Sequence, residues 1–149
     1  MKFFAGLIFA LQINLYAQNN AAVWYTDFDT VIQIAQRENR PILMVFSGSD
    51  WCKPCIKLQK EVFDQRVFEE YAAQNLVLLK LDFPRYKKNR LPDSLQIHHE
   101  SLAEKFNPEG GFPFICLLNS EGTVITQTQF PTIQPEDFVR YLSNLISSR

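Results

Sequence analysis

Two cysteines stand three residues apart in the segment WCKPC at residues 51–55, directly after an apolar run that ends at Phe46. If a helix begins at Cys52, three residues that each rise roughly 1.5 Å bring the two Cα atoms to about 5 Å, a distance that a disulfide tolerates. The pair can therefore open and close without movement of the backbone. Reversible dithiol–disulfide chemistry requires this arrangement.

The same geometry makes the two sulfurs unequal. Cys52 would lie at the helix start, where free backbone N–H groups and the positive end of the helix dipole favour a thiolate, and the Lys53 ammonium adds to this effect. Cys55 would lie one turn inside and be more covered. We therefore assign Cys52 as the attacking nucleophile and Cys55 as the resolving thiol that breaks the mixed disulfide with substrate. Pro54 fits the first turn, where no intrahelical N–H bond is lost.

Two other uses of a cysteine pair compete with this interpretation. Structural zinc needs four ligands, and the remaining candidates are Cys116, His98 and His99. Cys116 stands in an apolar run and the histidines in a charged segment, so no second ligand pair has the usual spacing and we expect no metal site. A purely structural disulfide across so short a loop would constrain the unfolded chain little.

The residues outside the pair receive less reactive assignments. We expect Cys116 to be a small buried side chain in a strand, because reactive thiols need exposure and an electropositive surround. The two histidines are expected on or near the polar side of a helix, without a ligand role.

Composition bounds the fold and excludes one class of partner. With 149 residues, 46% of them hydrophobic and 21% charged, the chain can build one globular domain with a substantial core. The formal net charge of −1 and the lack of a basic stripe give no electrostatic case for binding to nucleic acid.

The amino terminus has the pattern of an export signal. Lys2 precedes an apolar stretch at residues 3–11, and a small residue, Ala17, marks a cleavage point. We predict a signal peptide at residues 1–17 and one domain at residues 18–149. The apolar stretch of about ten residues is shorter than the roughly 20 that cross a bilayer, so no permanent anchor is expected. Export predicts a compartment such as the periplasm, where disulfides persist.

Hydrophobic periodicity and turn residues predict strands that alternate with helices. A break is expected near Asp64, a tight hairpin turn at residues 119–122, and a solvated basic loop from Arg85 to Arg90. This order implies the α/β class, with a mixed central sheet between two layers of helices. The predicted helices cover residues 27–39, 52–62, 67–73, 93–106 and 135–146, and the predicted strands cover residues 41–46, 75–83, 110–118 and 123–130.

The combination of these features resembles the thioredoxin superfamily. The resemblance covers residues 23–147 and rests on the strand before WCKPC, the later Gly-Phe-Pro before a strand, and the closing hairpin and helix. Residues 46–52, residues 61–63 and the excursion at residues 84–92 are similar to exported bacterial thioredoxin-like proteins. They are also similar to the periplasmic thioredoxin-like domain of the membrane electron transporter that feeds such proteins.

The resemblance implies the thioredoxin fold, a three-layer α/β/α arrangement, and roles for three further residues. Pro113 matches the family's cis-proline and would lie opposite Cys52. The backbone of Phe112 would pair with an extended substrate chain like an added strand. Trp51 would shield the thiol pair.

One family feature is missing. Thioredoxins usually carry a buried acid on the strand before the motif, as proton acceptor for the resolving thiol, but residues 43–46 are Leu, Met, Val and Phe. Asp50 is the nearest acid, and two roles are open to it: proton transfer or capping of a turn.

Together these residues predict an exported protein-disulfide oxidoreductase that exchanges its Cys52–Cys55 disulfide with protein cysteines, as a reductant or electron relay, without a cofactor. The expected partners are protein thiols and disulfides, and a membrane or periplasmic thiol–disulfide protein as electron donor. Its direction stays open, because potentials of such pairs span roughly −270 to −120 mV. The single-domain length favours a monomer over a dimeric isomerase.

Two alternatives remain. One is a non-catalytic module whose Phe112-Pro113 groove holds extended peptides while the cysteines form a fixed staple. The other is a thiol peroxidase that forms a sulfenic acid at Cys52.

Overall fold

The computed structural model describes residues 21–129 and 133–148. The predicted signal peptide at residues 1–17 lies outside these residues and stays a prediction. In chain order the elements are β1 (Trp24–Tyr25), α1 (Phe28–Glu38), β2 (Ile42–Ser47), α2 (Lys53–Leu58) with a π-helical turn after it (Gln59–Phe63), α3 (Arg66–Asn75), β3 (Val77–Asp82), a 3-10 turn (Lys87–Asn89), α4 (Asp93–Phe106), β4 (Phe114–Leu118), β5 (Val124–Gln129) and α5 (Pro135–Ser147).

The strand that precedes the cysteine motif runs through the middle of the sheet, whose order is β1-β3-β2-β4-β5. β2 pairs in parallel with β3 and antiparallel with β4, so the sheet is mixed. All of β2 is buried, because helices cover both faces of the sheet. The predicted α/β class, with three layers and a mixed central sheet, is confirmed.

Alternate residues of β2 point into two separate cores, as the strand period of two requires. Leu43 and Val45 face the side of α2, α3 and α5, whereas Met44 and Phe46 face the side of α1 and α4. The cysteine motif therefore rests on the first core and the later Cys116 belongs to the second.

The helices predicted from apolar spacing are all found in the described part of the chain. The Asp27 carboxylate caps α1 by accepting a hydrogen bond from the Thr30 N–H at 2.7 Å. The expected break falls at Asp64, where the π-helical turn ends and before α3 begins. The predicted end of the last strand at Phe130 lies outside the described residues. β1 was not predicted, since two residues are too few for a periodic pattern.

The prediction for His99 was wrong. Its side chain does not lie on the polar side of α4 but is buried, with 1% of the residue exposed. Nδ1 lies 3.0 Å from the Asp82 carbonyl oxygen and Nε2 lies 3.1 Å from that of Thr26. Backbone partners at both nitrogens make burial of the imidazole possible. His98, which is partly exposed, accepts the Phe28 N–H at 3.1 Å.

Candidate active site

The carboxyl end of β2 delivers the cysteine motif to one edge of the sheet. After Ser47 the chain turns back, and the Cys52 N–H donates to the Gly48 carbonyl at 2.9 Å. Cys52 is the residue before α2, and its sulfur accepts the Cys55 N–H at 3.3 Å. Pro54 lies in the first turn of α2, as expected, where it removes no helical hydrogen bond.

Cys52 and Cys55 form a disulfide with a Cα–Cα distance of 5.2 Å, which agrees with the distance expected from helical rise. The expected difference in cover is not found, because 4% of Cys52 and 3% of Cys55 is exposed. The two sulfurs differ in their position along α2, because Cys52 precedes the helix and Cys55 lies inside its first turn. The Cys55 N–H donates to the Cys52 sulfur, and the exposed Lys53 follows Cys52 directly, so both favour a thiolate at Cys52.

A cis peptide bond joins Phe112 and Pro113 immediately before β4. β4 begins opposite the end of β2, where Phe114 pairs with Phe46, so the buried Pro113 lies at the same edge of the sheet as the motif. The Phe112 ring packs edge-on against Trp51 with centroids 5.5 Å apart. The structure thus brings the residues of both predicted segments together.

Asn107 prepares the bend before this cis bond and was not predicted as a site residue. Asn107 is buried, and its side chain forms two hydrogen bonds with Gly111. The side-chain amide donates to the Gly111 carbonyl at 2.8 Å and accepts the Gly111 N–H at 3.0 Å. A side-chain amide that pairs with a backbone amide in this way fixes the approach to Phe112. The only sequence signal was its position at a helix end before Pro108.

The Trp51 indole is held between three groups. Its Nε1 donates to the Phe83 carbonyl at 2.7 Å, the Phe112 ring packs against it, and the Arg85 guanidinium lies 3.5 Å from the ring centroid. Gly48 makes room for it, because a Cβ there would lie 2.4 Å from Trp51 Cε2. The indole therefore joins the motif to the end of β3.

Asp50 anchors the basic loop. Its carboxylate accepts hydrogen bonds from the backbone N–H groups of Arg85 at 2.9 Å and Tyr86 at 3.0 Å, and from the Asn89 side chain at 3.0 Å. Desolvation alone would raise the pKa of Asp50, but the hydrogen bonds from Arg85, Asn89 and Tyr86 outweigh it and lower the pKa. Of the two roles that the sequence left open, this geometry supports capping.

Asp82, at the end of β3, holds the turn before the motif and was also missed. Its two carboxylate oxygens accept the Ser49 N–H at 2.9 Å and the Ser49 hydroxyl at 2.6 Å. The pair is possible because Ser47 and Asp82 are register partners at the ends of β2 and β3.

A cleft of about 290 Å³ opens beside Cys55. Within it the Lys80 ammonium donates to Gln59 Oε1 at 3.0 Å, and Gln59 Nε2 donates to Asp64 Oδ1 at 2.7 Å. A cation and the polar hydrogens of two side chains therefore line the same cleft as Cys55, the predicted resolving thiol. The lining residues are Ser47, Ser49, Cys55, Ile56, Gln59, Lys60, Asp64 and Lys80.

The described residues contain neither a candidate metal site nor a candidate membrane-spanning helix. No group of three or more His, Cys, Asp and Glu side chains is placed to hold a metal ion in this part of the chain. Over the same residues, no helix combines the length and the apolar character that crossing a membrane requires.

Comparison with known sequences gives a consistent set of relatives. A family model described as thioredoxin-like matches residues 23–120. The disulfide bond reductase DsbH of Chlamydia pneumoniae is 26% identical over 128 residues, which are 86% of this chain and 74% of that protein. The thioredoxin-related protein DsbJ of the same organism is 29% identical over 110 residues, or 70% of this chain, and the match spans only 30% of DsbJ.

Comparison with solved structures shows the same fold. A structure described as DsbH oxidoreductase superposes with a TM-score of 0.77 at 24% identity and covers 87% of each chain. A thioredoxin from Thermus thermophilus superposes with a TM-score of 0.63 at 15% identity, over 85% of this chain and 88% of its own.

Proposed function

The chain belongs to the thioredoxin-like family and is a protein-disulfide oxidoreductase of that family, and we propose that it works in the direction of reduction. The observation that carries the proposal is the Cys52–Cys55 disulfide at the start of α2, at the sheet edge that also bears the cis Phe112-Pro113 bond. The direction is supported by the likeness to a protein described as a disulfide bond reductase.

The reaction transfers two electrons from the protein dithiol to a partner disulfide. The Cys52 thiolate attacks one partner sulfur, a mixed disulfide forms, and the other partner sulfur leaves as a thiolate. The Cys55 thiolate then attacks the Cys52 sulfur, which releases the second partner sulfur and closes the protein disulfide. The two partner thiolates take up the protons that the protein thiols lost. A thiol–disulfide protein of the membrane or periplasm returns the protein to the dithiol form.

The residues around the sulfurs position the partner. The backbone of Phe112 pairs with an extended partner segment, and the cis bond to Pro113 turns that backbone toward the motif. Trp51 covers the disulfide from the side of the basic loop. The support for these roles is that Trp51 and Phe112 are in ring contact beside the cysteines.

The test is reduction of a protein disulfide, such as those of insulin, by the prereduced protein. We expect wild type and a Cys116→Ser control to reduce it, Cys52→Ser to be inactive, and Cys55→Ser to accumulate a mixed disulfide that mass spectrometry detects. If Cys52→Ser kept full activity, the proposed function would be wrong. If wild type bound extended peptides but never reduced a disulfide, the non-catalytic module would replace it.

The reduction potential tests the direction separately. Equilibration of the Cys52–Cys55 pair in graded glutathione or dithiothreitol buffers should give a value of about −250 mV or lower for a reductant. A value near that of strong oxidants, about −130 mV, would keep the oxidoreductase and reverse its direction.

Export is a further part of the proposal. The charged, apolar and small-residue pattern of residues 1–17 supports cleavage after Ala17 and a mature protein in the periplasm, and the single-domain length supports a monomer. Amino-terminal sequencing of the protein from a periplasmic extract should start at Gln18. A full-length protein that stays in the cytosolic fraction would contradict the expectation.

A further inference from the structure

Four exposed cations lie next to Cys52 in the chain or on the loop that Asp50 holds, and we name them the basic rim: Lys53, Arg85, Lys87 and Lys88. Lys53 follows Cys52 directly, and the other three lie in the loop between β3 and α4. Within residues 21–129 and 133–148, none of the four is in an ion pair. The remaining cation of the loop between β3 and α4, Arg90, forms an exposed ion pair with Asp93 at 3.1 Å.

The loop that carries the rim is fixed against the motif. Asp50, two residues before Cys52, accepts the Arg85 and Tyr86 N–H groups at 2.9 and 3.0 Å and the Asn89 amide at 3.0 Å. Lys87 and Lys88 lie in the 3-10 turn that follows, which the Asn89 N–H closes by donating to the Tyr86 carbonyl at 2.9 Å. Lys87 and Lys88 are thus carried by a segment that is hydrogen-bonded to Asp50, two residues before Cys52.

Two acids lie in the same region, and hydrogen bonds hold both carboxylates: the loop encloses Asp50, and both oxygens of Asp82 bind Ser49. The four rim cations outnumber these two acids, which leaves an excess of positive charge. The chain as a whole has a formal net charge of −1, so the positive rim is a local feature and not a consequence of a basic protein. A local positive surface beside a reactive group attracts negatively charged partners and accelerates their encounter.

We propose that the basic rim selects partner proteins whose reactive cysteines are flanked by aspartate and glutamate. The inference rests on the proposed function, because it concerns the partner that exchanges its disulfide with Cys52 and Cys55. Lys53 also favours the Cys52 thiolate, whereas Lys87 and Lys88 act on the approach of the partner alone. They raise the rate at which the acidic segment reaches Cys52, so the second-order rate constant changes and the later attack by Cys55 does not.

The probes are three synthetic peptides that each contain one disulfide, with the cysteines flanked by Asp and Glu, by Ser and Gln, or by Lys. The prereduced protein, residues 18–149, is mixed with each peptide and the second-order rate constant is measured. Lys87→Gln/Lys88→Gln removes two rim charges. Arg66→Gln/Arg140→Gln removes two charges from exposed side chains of α3 and α5 and matches the change in net charge.

At low salt we expect Lys87→Gln/Lys88→Gln to reduce the acidic peptide about tenfold more slowly than wild type, and the neutral peptide at the wild-type rate. The basic peptide should react slightly faster with this variant. At about 0.5 M salt the difference on the acidic peptide should fall below about twofold, because screening confines the field of the rim to a few ångströms. Each comparison uses one peptide, so intrinsic differences between the peptides cancel.

Three results would count against the proposal. Equal rates of wild type and Lys87→Gln/Lys88→Gln on the acidic peptide, with normal reduction of the neutral one, would overturn the proposed role of the basic rim. The proposed function would remain intact. An equal loss in Arg66→Gln/Arg140→Gln would assign the effect to net charge and also overturn the proposed role of the basic rim. If wild type reduced none of the peptides, the proposed function itself would fail.

Discussion

The Cys52–Cys55 pair and Cys116 occupy the same sheet framework but differ in their surroundings. Exposure separates them little, since 4%, 3% and 0% of the three residues is accessible. Cys52 lies at a strand-to-helix turn, where its sulfur accepts a backbone N–H. Cys116 lies in the middle of β4, in register with Met44 on one side and Gln127 on the other.

The comparison indicates that position at the end of an element, more than exposure, separates the proposed reactive pair from Cys116. At the helix start, the Cys55 N–H on the Cys52 sulfur and the positive charge of Lys53 would favour a thiolate. In β4, burial raises the pKa of the Cys116 thiol to about 11, although the hydrogen bond from Gln127 acts in the opposite direction. The same side chain is therefore suited to the proposed nucleophile in one place and to a small buried group in the other.

Alkylation of the reduced protein tests this contrast and should give the largest effect. With a pKa of about 11, only about one Cys116 thiol in a thousand is ionised at about pH 8. Below that pKa, each increase of one pH unit raises the ionised fraction about tenfold. We expect iodoacetamide to modify Cys52 at least about a thousand times faster than Cys116. Peptide mapping after a short reaction measures both. Comparable labelling of Cys116 in the folded protein would contradict the comparison.

Gly48→Ala should lower turnover by about tenfold, because its Cβ would displace the Trp51 indole that lies 2.4 Å away. The indole would then lose its hydrogen bond to the Phe83 carbonyl and its contact with Phe112. Insulin reduction and indole fluorescence measure the two consequences.

Trp51→Phe is the matched variant for that experiment. It keeps an aromatic ring and removes the N–H donor, so its loss of turnover should be smaller, about threefold. If Gly48→Ala reduced insulin at the wild-type rate while its fluorescence changed, the position of the indole would have no part in the reaction.

The local geometry of the motif could be predicted from the sequence, whereas its long-range supports could not. The spacing of Cys52 and Cys55 already fixed a Cα distance near the observed 5.2 Å, since helical rise depends only on neighbours. The hydrogen bonds from Ser49 to Asp82 cross 33 positions and exist only because β2 and β3 pair in parallel with one register. Strand register between distant segments has no signature in residue spacing.

The same limit explains the misplaced histidine. The charged neighbours of His99 along the chain indicated a polar helix face, but burial is decided by Asp82 and Thr26, whose carbonyls meet the ring from two other segments. The anchoring of the basic loop by Asp50 was hidden for a similar reason, because its partners lie 35 to 39 positions further along the chain.

Lys80→Met sharpens the comparison within the pair, because the Lys80 ammonium lines the cleft beside Cys55. We expect about threefold slower resolution of the mixed disulfide, since loss of a nearby cation disfavours the Cys55 thiolate. The loss should shrink as pH rises and the thiolate forms without help. Quenched-flow measurement of the mixed disulfide across pH tests this.

Lys57→Met is the control. Lys57 lies on α2, the helix that carries Cys55, but it is half exposed and paired with Glu61 at 3.7 Å. It should resolve the mixed disulfide at the wild-type rate, and Lys80→Arg should restore most of the loss. A pH-independent loss in Lys80→Met would indicate a packing effect instead of a charge effect.

Cys116→Ala completes the comparison and should leave turnover unchanged. Its buried sulfur is 3.7 Å from the Phe106 carbonyl and accepts the Gln127 amide at 3.4 Å, so removal leaves a small cavity between β4, β5 and α4. We expect a loss of about 1 kcal/mol in the free energy of unfolding, measured by urea titration. The Gln127 amide keeps its hydrogen bond to the Phe106 carbonyl at 2.8 Å, which limits the loss. A variant of unchanged stability that reduced insulin more slowly would mean that Cys116 takes part in the electron transfer, and the division between the reactive pair and the structural thiol would then be wrong.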